Sequence, residues 1–167
     1  MAKTGVLLMT VAYRFLIFKL DNHKYGLPLE FVSRVMRIVE IIPVPNETPL
    51  IRGFINLHGE MVTVFDLRAL FNLPPRDVRL SDRLILLAIE GRSLALLADD
   101  VDDVLEPKLI EVMRARNVIL KTPVLDGVLQ QDGEVIYLCN PTALPQIDIE
   151  TDAVDLPEDD MAKGEPV

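Results

Sequence analysis

The segment from Ile51 to Phe71 constrains the fold of this chain most strongly. Two short apolar runs, Gly53–Leu57 and Met61–Phe65, flank the tripeptide His58-Gly59-Glu60. A glycine at the centre of such a connection is typical of the tight turn of a β-hairpin. Asp66 follows as an N-cap type of residue, and the apolar residues after it have the spacing of a short helix. The segment contains no reactive side-chain pattern, so it predicts a scaffold that works by holding partners.

Strand signals dominate the rest of the chain, and helix signals are scarce. Short apolar runs recur at close spacing and are separated by polar or glycine-containing turns, which is typical of small barrels or a sandwich. Each half has about five strand candidates, and closure into barrels removes exposed strand edges. The sequence therefore predicts an all-β fold of two five-stranded barrels packed together, with short helical turns. The further hairpins are predicted as Tyr13–Leu20 with Tyr25–Leu29, Arg83–Glu90 with Ser93–Asp99, and Val124–Gln131 with Glu134–Cys139 around Asp132-Gly133.

The connections between these hairpins suggest a domain division. A helical turn is expected over Leu29–Ser33, followed by a strand over Arg34–Ile41, and Pro107–Lys121 stays ambiguous. The proline-rich stretch Leu73–Asp77 is the best candidate for a junction. We expect a domain over 13–147, with one subdomain at about 21–75 and a second at about 76–147 that 13–20 could join. Asn140 is expected to cap a final turn through Leu144.

Charge is distributed unevenly along the chain. The net charge is −9, and the segment 148–167 holds eight acids against Lys163 alone. This composition predicts a disordered acidic tail, and an extension is expected at residues 1–12. A near-neutral body without a basic stripe argues against nucleic-acid binding. Arg14 and Lys19 interrupt the longest apolar run, so no membrane insertion is expected, and the single Cys139 fits a reducing, cytoplasmic compartment.

Catalytic and metal-binding chemistry has little support in the sequence. The chain has two histidines and one cysteine, and it lacks the motifs of serine or cysteine nucleophiles and of zinc hydrolases. The acidic run Asp99–Asp103 lacks the spacing and the trailing glutamate of a calcium loop, so we interpret it as a solvated rim. We therefore expect no enzyme activity, no metal and no cofactor.

Five motifs follow one another along the chain. Tyr25-Gly26-Leu27 follows a strand, and Val32-Ser33-Arg34-Val35 matches a V-x-E-I-like segment in position. The proline-containing stretch Ile42–Asn46 comes next. Gly53–Arg68 is similar to a hairpin of the pattern G-x-I-N-L-R-G-x-x-x-P-V-x-D-L-R, and Leu94–Val104 is similar to a downstream strand pair. In this order the five motifs resemble the CheW family of bacterial chemotaxis coupling proteins, whose hallmark is that hairpin.

The resemblance implies two SH3-like β-barrels and a non-enzymatic adaptor. In that family one surface binds the regulatory domain of the histidine kinase CheA, and another groove binds the cytoplasmic hairpin tip of chemoreceptors. Candidate partner-binding residues follow from the resemblance and from an apolar strip with basic neighbours. They are Val32, Arg34, Val35, Arg37, Ile38, Val44, Asn56 and His58, and the expected structural turn glycines are Gly26, Gly53, Gly59 and Gly133.

Three residues depart from the family pattern. Arg34 stands where the family usually has Glu, His58 where it has Arg, and Thr63 where it has Pro. Arg34 and His58 cannot form the carboxylate–guanidinium fork that the usual pair could form. One alternative is therefore an auxiliary CheW-like protein that serves a non-flagellar pathway such as surface motility, or that binds only the kinase. A remote alternative is a small-molecule sensor that uses the crevice between the barrels.

Overall fold

The computed structural model describes residues 13–45, 48–118 and 120–146, and the expected extension at 1–12 and acidic tail at 148–167 lie outside these residues. Within the described residues ten strands form two sheets, accompanied by two 3₁₀ turns and one short helix. The strands are β1 Phe15–Leu20, β2 His23–Pro28, β3 Val32–Arg37, β4 Ile51–Leu57, β5 Glu60–Phe65, β6 Arg83–Ile89, β7 Arg92–Ala98, β8 Asp100–Leu105, β9 Leu125–Gln131 and β10 Glu134–Cys139. The 3₁₀ turns are Leu29–Phe31 and Pro141–Ala143, and the helix α1 is Leu109–Ala115.

Each sheet has five strands and the same arrangement. The first sheet has the order β8-β1-β2-β10-β9, and the second has the order β3-β6-β7-β5-β4. Each contains two antiparallel hairpins that meet through one parallel pair, β2 with β10 and β5 with β7. This architecture confirms the predicted all-β fold of two five-stranded units. We call them the first barrel and the second barrel.

The subdomain boundaries differ from those predicted. β2 lies in the first barrel beside β9 and β10, although it falls in the predicted range 21–75. β6 and β7 lie in the second barrel, although they fall in the range 76–147. The proline-rich stretch Leu73–Asp77 consequently connects two strands of one sheet and is not the junction between subdomains. Parallel pairings between distant strands decide the division, and hairpin patterns do not reveal them.

The hairpin turns have the backbone geometry that their glycines suggest. His58 and Gly59 have φ angles of 53° and 90°, and Asp132 and Gly133 have φ angles of 52° and 79°. Two successive residues with positive φ are typical of the two-residue hairpin turn whose twist matches that of the strands. The turn roles of Gly59 and Gly133 are confirmed.

Gly26 and Gly53 are not turn residues, which corrects the prediction. Gly26 lies inside β2, where a Cβ atom would be 3.3 Å from both Leu138 Cδ2 and Phe15 Cβ. Gly53 lies at a register shift in β4, has φ of 148°, and a Cβ atom there would be 2.2 Å from the carbonyl oxygen of Ile42. Gly53 therefore permits a close approach of two backbone segments. Ile42 also pairs with Phe54 through two backbone hydrogen bonds of 2.7 and 2.8 Å, which close the second barrel.

The predicted helical segments are shorter than their spacing suggests. After β5, the backbone N–H groups of Leu70 and Phe71 donate to the carbonyl of Leu67 at 3.0 and 3.1 Å, which makes a turn and no helix. Asn140 Oδ1 accepts from the N–H of Thr142 at 3.3 Å, so the predicted cap is confirmed. The strand predicted to reach Ile41 ends at Arg37, and α1 lies within the ambiguous stretch 107–121.

Buried apolar side chains form three clusters. One fills the first barrel, where Val112 and Ala115 of α1 pack beside strand residues such as Phe15. Another fills the second barrel around Ile55. The largest lies between the sheets and takes residues from both, including Phe18, Tyr25, Phe65, Leu94 and Leu96. Two barrel cores joined by a shared apolar layer account for one compact unit.

The chain contains an internal repeat in its order of elements. A hairpin, a single strand and a second hairpin follow one another as β1-β2, β3 and β4-β5, and again as β6-β7, β8 and β9-β10. In each repeat the first hairpin lies in one sheet, and the single strand and the second hairpin lie in the other. The single strand pairs with the first hairpin of the other repeat: β3 pairs with β6, and β8 pairs with β1. Each half of the chain therefore supplies two strands to one sheet and three strands to the other.

Matching residues support this repeat. Thr48-Pro49 and Thr122-Pro123 precede the second hairpins, which both contain a glycine in the first strand, Gly53 or Gly127, and a Gly-Glu pair at the turn. The Ile51 N–H bonds the carbonyl of Thr48 at 3.3 Å, and the Leu125 N–H bonds that of Thr122 at 3.2 Å. The two barrels are thus versions of one design, which permits comparison of equivalent positions.

Candidate partner-binding surface

The edge strand β3 carries four of the predicted partner-binding residues. It pairs with β6 on one side and is the end strand of its sheet. The side chains of Arg34 and Arg37 are exposed and make no hydrogen bond or ion pair with the residues that the structure describes. Val35 is 38% exposed, and Val32 is half-buried. An end strand with an exposed apolar side chain and uncommitted basic groups is suited to contact another protein.

Ile38 and Val44 have a different position. Both are half-buried, and Ile38 packs against the second-barrel cluster, whereas Val44 packs against the cluster between the sheets. Their main role in the structure is therefore packing. The exposed large apolar side chains of this barrel are Val35, Val39, Ile42 and Met61, which are 38 to 52% exposed, and Leu80 before β6, which is 89% exposed.

Asn56 and His58 lie together at the hairpin between β4 and β5. Asn56 Oδ1 accepts from the N–H of Gly59 at 2.8 Å, so this side chain fixes the turn. His58 is exposed, with φ of 53°. Among the described residues no hydrogen bond or ion pair joins His58 to Arg34. The structure therefore gives two separate sets of candidates, one on the end strand and one at the hairpin tip.

A charged cluster between the barrels was missed by sequence reasoning. Arg68 Nη2 donates to Asp21 Oδ1 at 2.9 Å and to Asp99 Oδ2 at 2.6 Å. Arg76 binds Asp82 through both terminal nitrogens at 3.0 and 2.6 Å, and its Nη2 also donates to Asp99 Oδ1 at 2.5 Å. We call these five residues the charged joint. It connects the β1–β2 turn of the first barrel to the start of β6 in the second.

Asp99 is the centre of the charged joint. Burial alone would raise its pKa, but the hydrogen bonds from Arg68 and from the Asp21 N–H, with the charges of Arg68 and Arg76, lower the pKa overall. Its side chain is 21% exposed, so the interpretation of Asp99 as part of a solvated rim is wrong, whereas Asp100, Asp102 and Asp103 are exposed. The closing Arg68 of the hallmark hairpin is 4% exposed and serves this joint.

Three further features of the described residues concern metal binding, membrane crossing and the single cysteine. No cluster of three or more His, Cys, Asp or Glu side chains suited to a metal ion occurs within 13–45, 48–118 and 120–146. In the same ranges no helix has the length and apolar character needed to cross a membrane. Cys139 is buried and has a free thiol whose pKa is raised by burial.

The fold and the exposed surfaces define a small protein-binding module of two SH3-like barrels. The chain belongs to the CheW-like domain family, whose model matches residues 14–147. Relatives carry the name chemotaxis protein CheW. The protein from Klebsiella aerogenes is 30% identical over 121 residues, which cover 71% of this chain and 73% of the relative. The protein from Bacillus subtilis is 24% identical over 133 residues, which cover 78% of this chain and 85% of the relative.

A solved structure supports the same family. The scaffolding protein TtCheW from Thermoanaerobacter tengcongensis aligns with a TM-score of 0.69 and 26% identity. The alignment covers 78% of this chain and 85% of that chain. The predicted resemblance and the two-barrel architecture are both confirmed.

Proposed function

We propose that this chain is a chemotaxis scaffold that couples chemoreceptors to a CheA-type histidine kinase. The kinase would be bound through its regulatory domain, and the receptors through their cytoplasmic tips. Both partners present those parts in the bacterial cytoplasm, which is where we place this chain. Its action is binding, with no chemical conversion of a substrate.

One observation carries this proposal: the family match extends over 14–147 and thus over both barrels together. A scaffold needs at least two separate contact surfaces. The exposed strand β3 and the β4–β5 hairpin tip are separate candidate surfaces on the second barrel. The named relatives do not favour a sensor domain as the main function.

Binding to purified partners tests the proposal. Titration with a kinase regulatory domain and with a receptor tip should give affinities near micromolar, or about −8 kcal/mol, as expected for small and exchangeable interfaces. Failure to bind either partner would contradict the scaffold function.

A matched pair of variants locates the surface. Val35→Asp on β3 should weaken the binding of at least one partner by more than about tenfold, because a charge replaces an apolar anchor. Val135→Asp on β10 changes a side chain of similar exposure, 44% against 38%, and should leave both affinities within about twofold. Equal effects of the two variants would remove β3 from the interface.

The residues Arg34 and His58 favour a second candidate function. Both are exposed, and no described contact commits either of them to the fold. We propose that they alter the receptor groove, so that the chain serves a non-flagellar pathway or binds the kinase alone. The double variant Arg34→Glu/His58→Arg should then create or strengthen binding to a receptor tip without changing kinase binding. Unchanged receptor affinity would contradict an altered groove.

A further inference from the structure

A cleft lies between the first barrel and the segment that follows β5. Its volume is about 370 Å³, in the range of sites for small organic ligands. Strands β2 and β10 and the segments 70–73 and 120–125 form its walls. The lining residues used below are His23, Tyr25, Phe71, Asn72, Lys121 and Tyr137.

Three aromatic residues border one side of the cleft, and Phe71 and Tyr137 supply the ring surface there, because Tyr25 is only 3% exposed and its ring is stacked with both Phe18 and Phe71. The rings of Tyr25 and Phe71 are stacked, with centroids 4.7 Å apart and planes at 11°, and Tyr137 lies 5.6 Å from Tyr25. Burial raises the pKa of Tyr25, so its phenol is neutral at physiological pH. A planar ring is the shape that such a surface accepts best.

The barrel fold does not require these rings. Tyr137 and Tyr25 are partners in the parallel pair of the first barrel, and Thr63 and Leu94 are the equivalent partners in the second. The second barrel therefore forms the same pairing without any aromatic side chain. Tyr25 belongs to the apolar layer between the sheets, so packing accounts for its ring. Tyr137 is only half-buried and lines the cleft, and it is the tyrosine available for a further role.

The electrostatic character of the cleft is unusual for this chain. The protein has a net charge of −9, yet no carboxylate lines this cleft. Four other clefts each include at least one acid, such as Glu30, Asp66 or Glu134. Lys121 is exposed, and neither it nor His23 makes an ion pair with the described residues. An uncommitted cation beside an acid-free aromatic wall favours an anionic ligand.

Local hydrogen bonds hold the backbone of both walls of the cleft. Asn72 has φ of 56°, a left-handed conformation that asparagine tolerates, and the next N–H, that of Leu73, donates to the carbonyl of Arg68 at 3.0 Å. On the opposite wall the Val124 N–H donates to Thr122 Oγ1 at 3.4 Å. A preformed cleft loses little conformational freedom on binding, which favours affinity for a small ligand.

We propose that this cleft binds a planar aromatic carboxylate, with its ring against Phe71 and Tyr137 and its carboxylate toward Lys121. The site is independent of the scaffold function, and it would give a metabolite access to a protein that connects other proteins.

Indole-3-acetate is a suitable probe, because the chain contains no tryptophan and the indole fluorescence of the probe has no background from it. Its fluorescence anisotropy should rise saturably with the intact protein, with a dissociation constant of about 0.1–1 mM. Tryptamine has the same ring and a positive charge, and it should bind at least about fivefold more weakly. No saturable binding of indole-3-acetate, or equal binding of the two probes, would overturn the proposal.

Two charge reversals provide the matched test. Lys121→Glu should weaken the binding of indole-3-acetate by about tenfold and reduce the preference over tryptamine. Lys108→Glu, an equal change of charge at an exposed residue that does not line the cleft, should change binding by less than about twofold. Equal effects would show only long-range electrostatics and would overturn the site.

A partner's side chain is the other occupant of such a cleft. Kinase and receptor binding should be unchanged in Lys121→Glu. If that variant abolishes partner binding while indole-3-acetate never binds the unmodified protein, the cleft is a protein interface and the proposal is wrong. Because partner binding is measured separately, failure of the ligand site leaves the scaffold function testable by itself.

Discussion

The two barrels share one plan but are completed by different contacts. In the second barrel the carbonyl of Ile42 lies over Gly53 and the chain closes backbone to backbone. In the first barrel the carbonyl of Ala115, at the end of α1, lies over the equivalent Gly127. The helix then fills the barrel with Val112. Residues that are the same at equivalent positions of the two barrels maintain the shared fold. Residues that differ at equivalent positions are the candidates for function.

The surfaces of the two barrels also differ in the pairing of their charged side chains. In the second barrel, Arg34 and His58 are exposed without a described ion pair. In the first barrel, Lys24 lies 2.5 Å from Glu134 and 3.9 Å from Asp102, so these charges are used within the molecule. The second barrel therefore has the groups available for a partner, and the first has the aromatic cleft.

The largest expected effect compares the two strand glycines. Gly53→Ala should reduce the free energy of unfolding by more than about 3 kcal/mol, because its Cβ atom would meet the Ile42 carbonyl at 2.2 Å in a strained backbone conformation. Gly127→Ala should cost about 1–2 kcal/mol, because the contact is 3.0 Å and α1 can shift. Urea unfolding measures both values. Equal losses would show that the barrels close in equivalent ways.

The next effect tests the charged joint against the outer ion pairs. Arg68→Met should reduce the free energy of unfolding by about 2–3 kcal/mol, because it leaves the Asp99 carboxylate without its main partner. The loss is limited because Asp21 is 39% exposed and can be hydrated. Lys24→Met removes an outer pair and should give a clearly smaller loss in the same unfolding assay. A comparable loss for both would remove the distinction between the joint and the surface.

Acid should weaken the joint. Because the folded-state pKa of Asp99 is lowered, the stability that this carboxylate contributes is present above the unfolded pKa of about 4 and is lost as the pH falls through the folded value. Unfolding midpoints measured from about pH 5 to about pH 2 should fall less steeply in Arg68→Met than in the unmodified protein. If the pH profiles of Arg68→Met and the unmodified protein were parallel, the loss of stability at low pH would arise from groups outside the charged joint.

The smallest effect concerns Asp126, which occupies the place of Arg52 in the other barrel. Burial raises its pKa, with the Arg116 charge opposing, and Asp126 Oδ1 has no hydrogen-bond partner. Because the folded-state pKa of Asp126 is raised, the folded protein favours the protonated carboxyl group. That contribution to stability is lost as the pH rises through the folded-state pKa, so the ionised carboxylate is unfavourable at neutral pH. Asp126→Asn should therefore stabilise the protein, by a few tenths of a kcal/mol because the side chain is 37% exposed.

Asp132→Asn is the control for this last substitution. Asp132 lies in the β9–β10 turn with φ of 52°, which asparagine also adopts, and its side chain is exposed. Thermal unfolding at neutral pH should therefore be unchanged by it. A stabilisation equal to that of Asp126→Asn would indicate a general effect of reducing the negative charge.

Local patterns in the sequence predicted the hairpins, because turn chemistry and alternation lie within a few neighbouring residues. The division into barrels was not predictable in the same way, since it depends on the parallel pairs β2 with β10 and β5 with β7. One signal was present and not used: Thr-Pro, a strand glycine and Gly-Glu occur in the same order from Thr48 and from Thr122. That repeat indicates a duplicated hairpin unit.

The candidate sites also differ in whether local sequence features predict them. The exposure of Arg34 and His58 follows from an end strand and a turn, both of which are local features. The charged joint joins Asp21, Arg68 and Asp99, which are distant in sequence and adjacent only after the barrels assemble. The aromatic cleft likewise requires Phe71 to meet Tyr25.

The positions of β3 and β8 at the edges of the two sheets have a mechanical consequence. The chain passes from one barrel to the other twice, between β2 and β3 and between β7 and β8, and each crossing leads directly into an edge strand of the receiving sheet. Tension that pulls the barrels apart must peel one of these strands from its neighbour, breaking a row of backbone hydrogen bonds, and cannot simply stretch a linker. We therefore expect a displacement of one barrel to be transmitted directly to the other barrel.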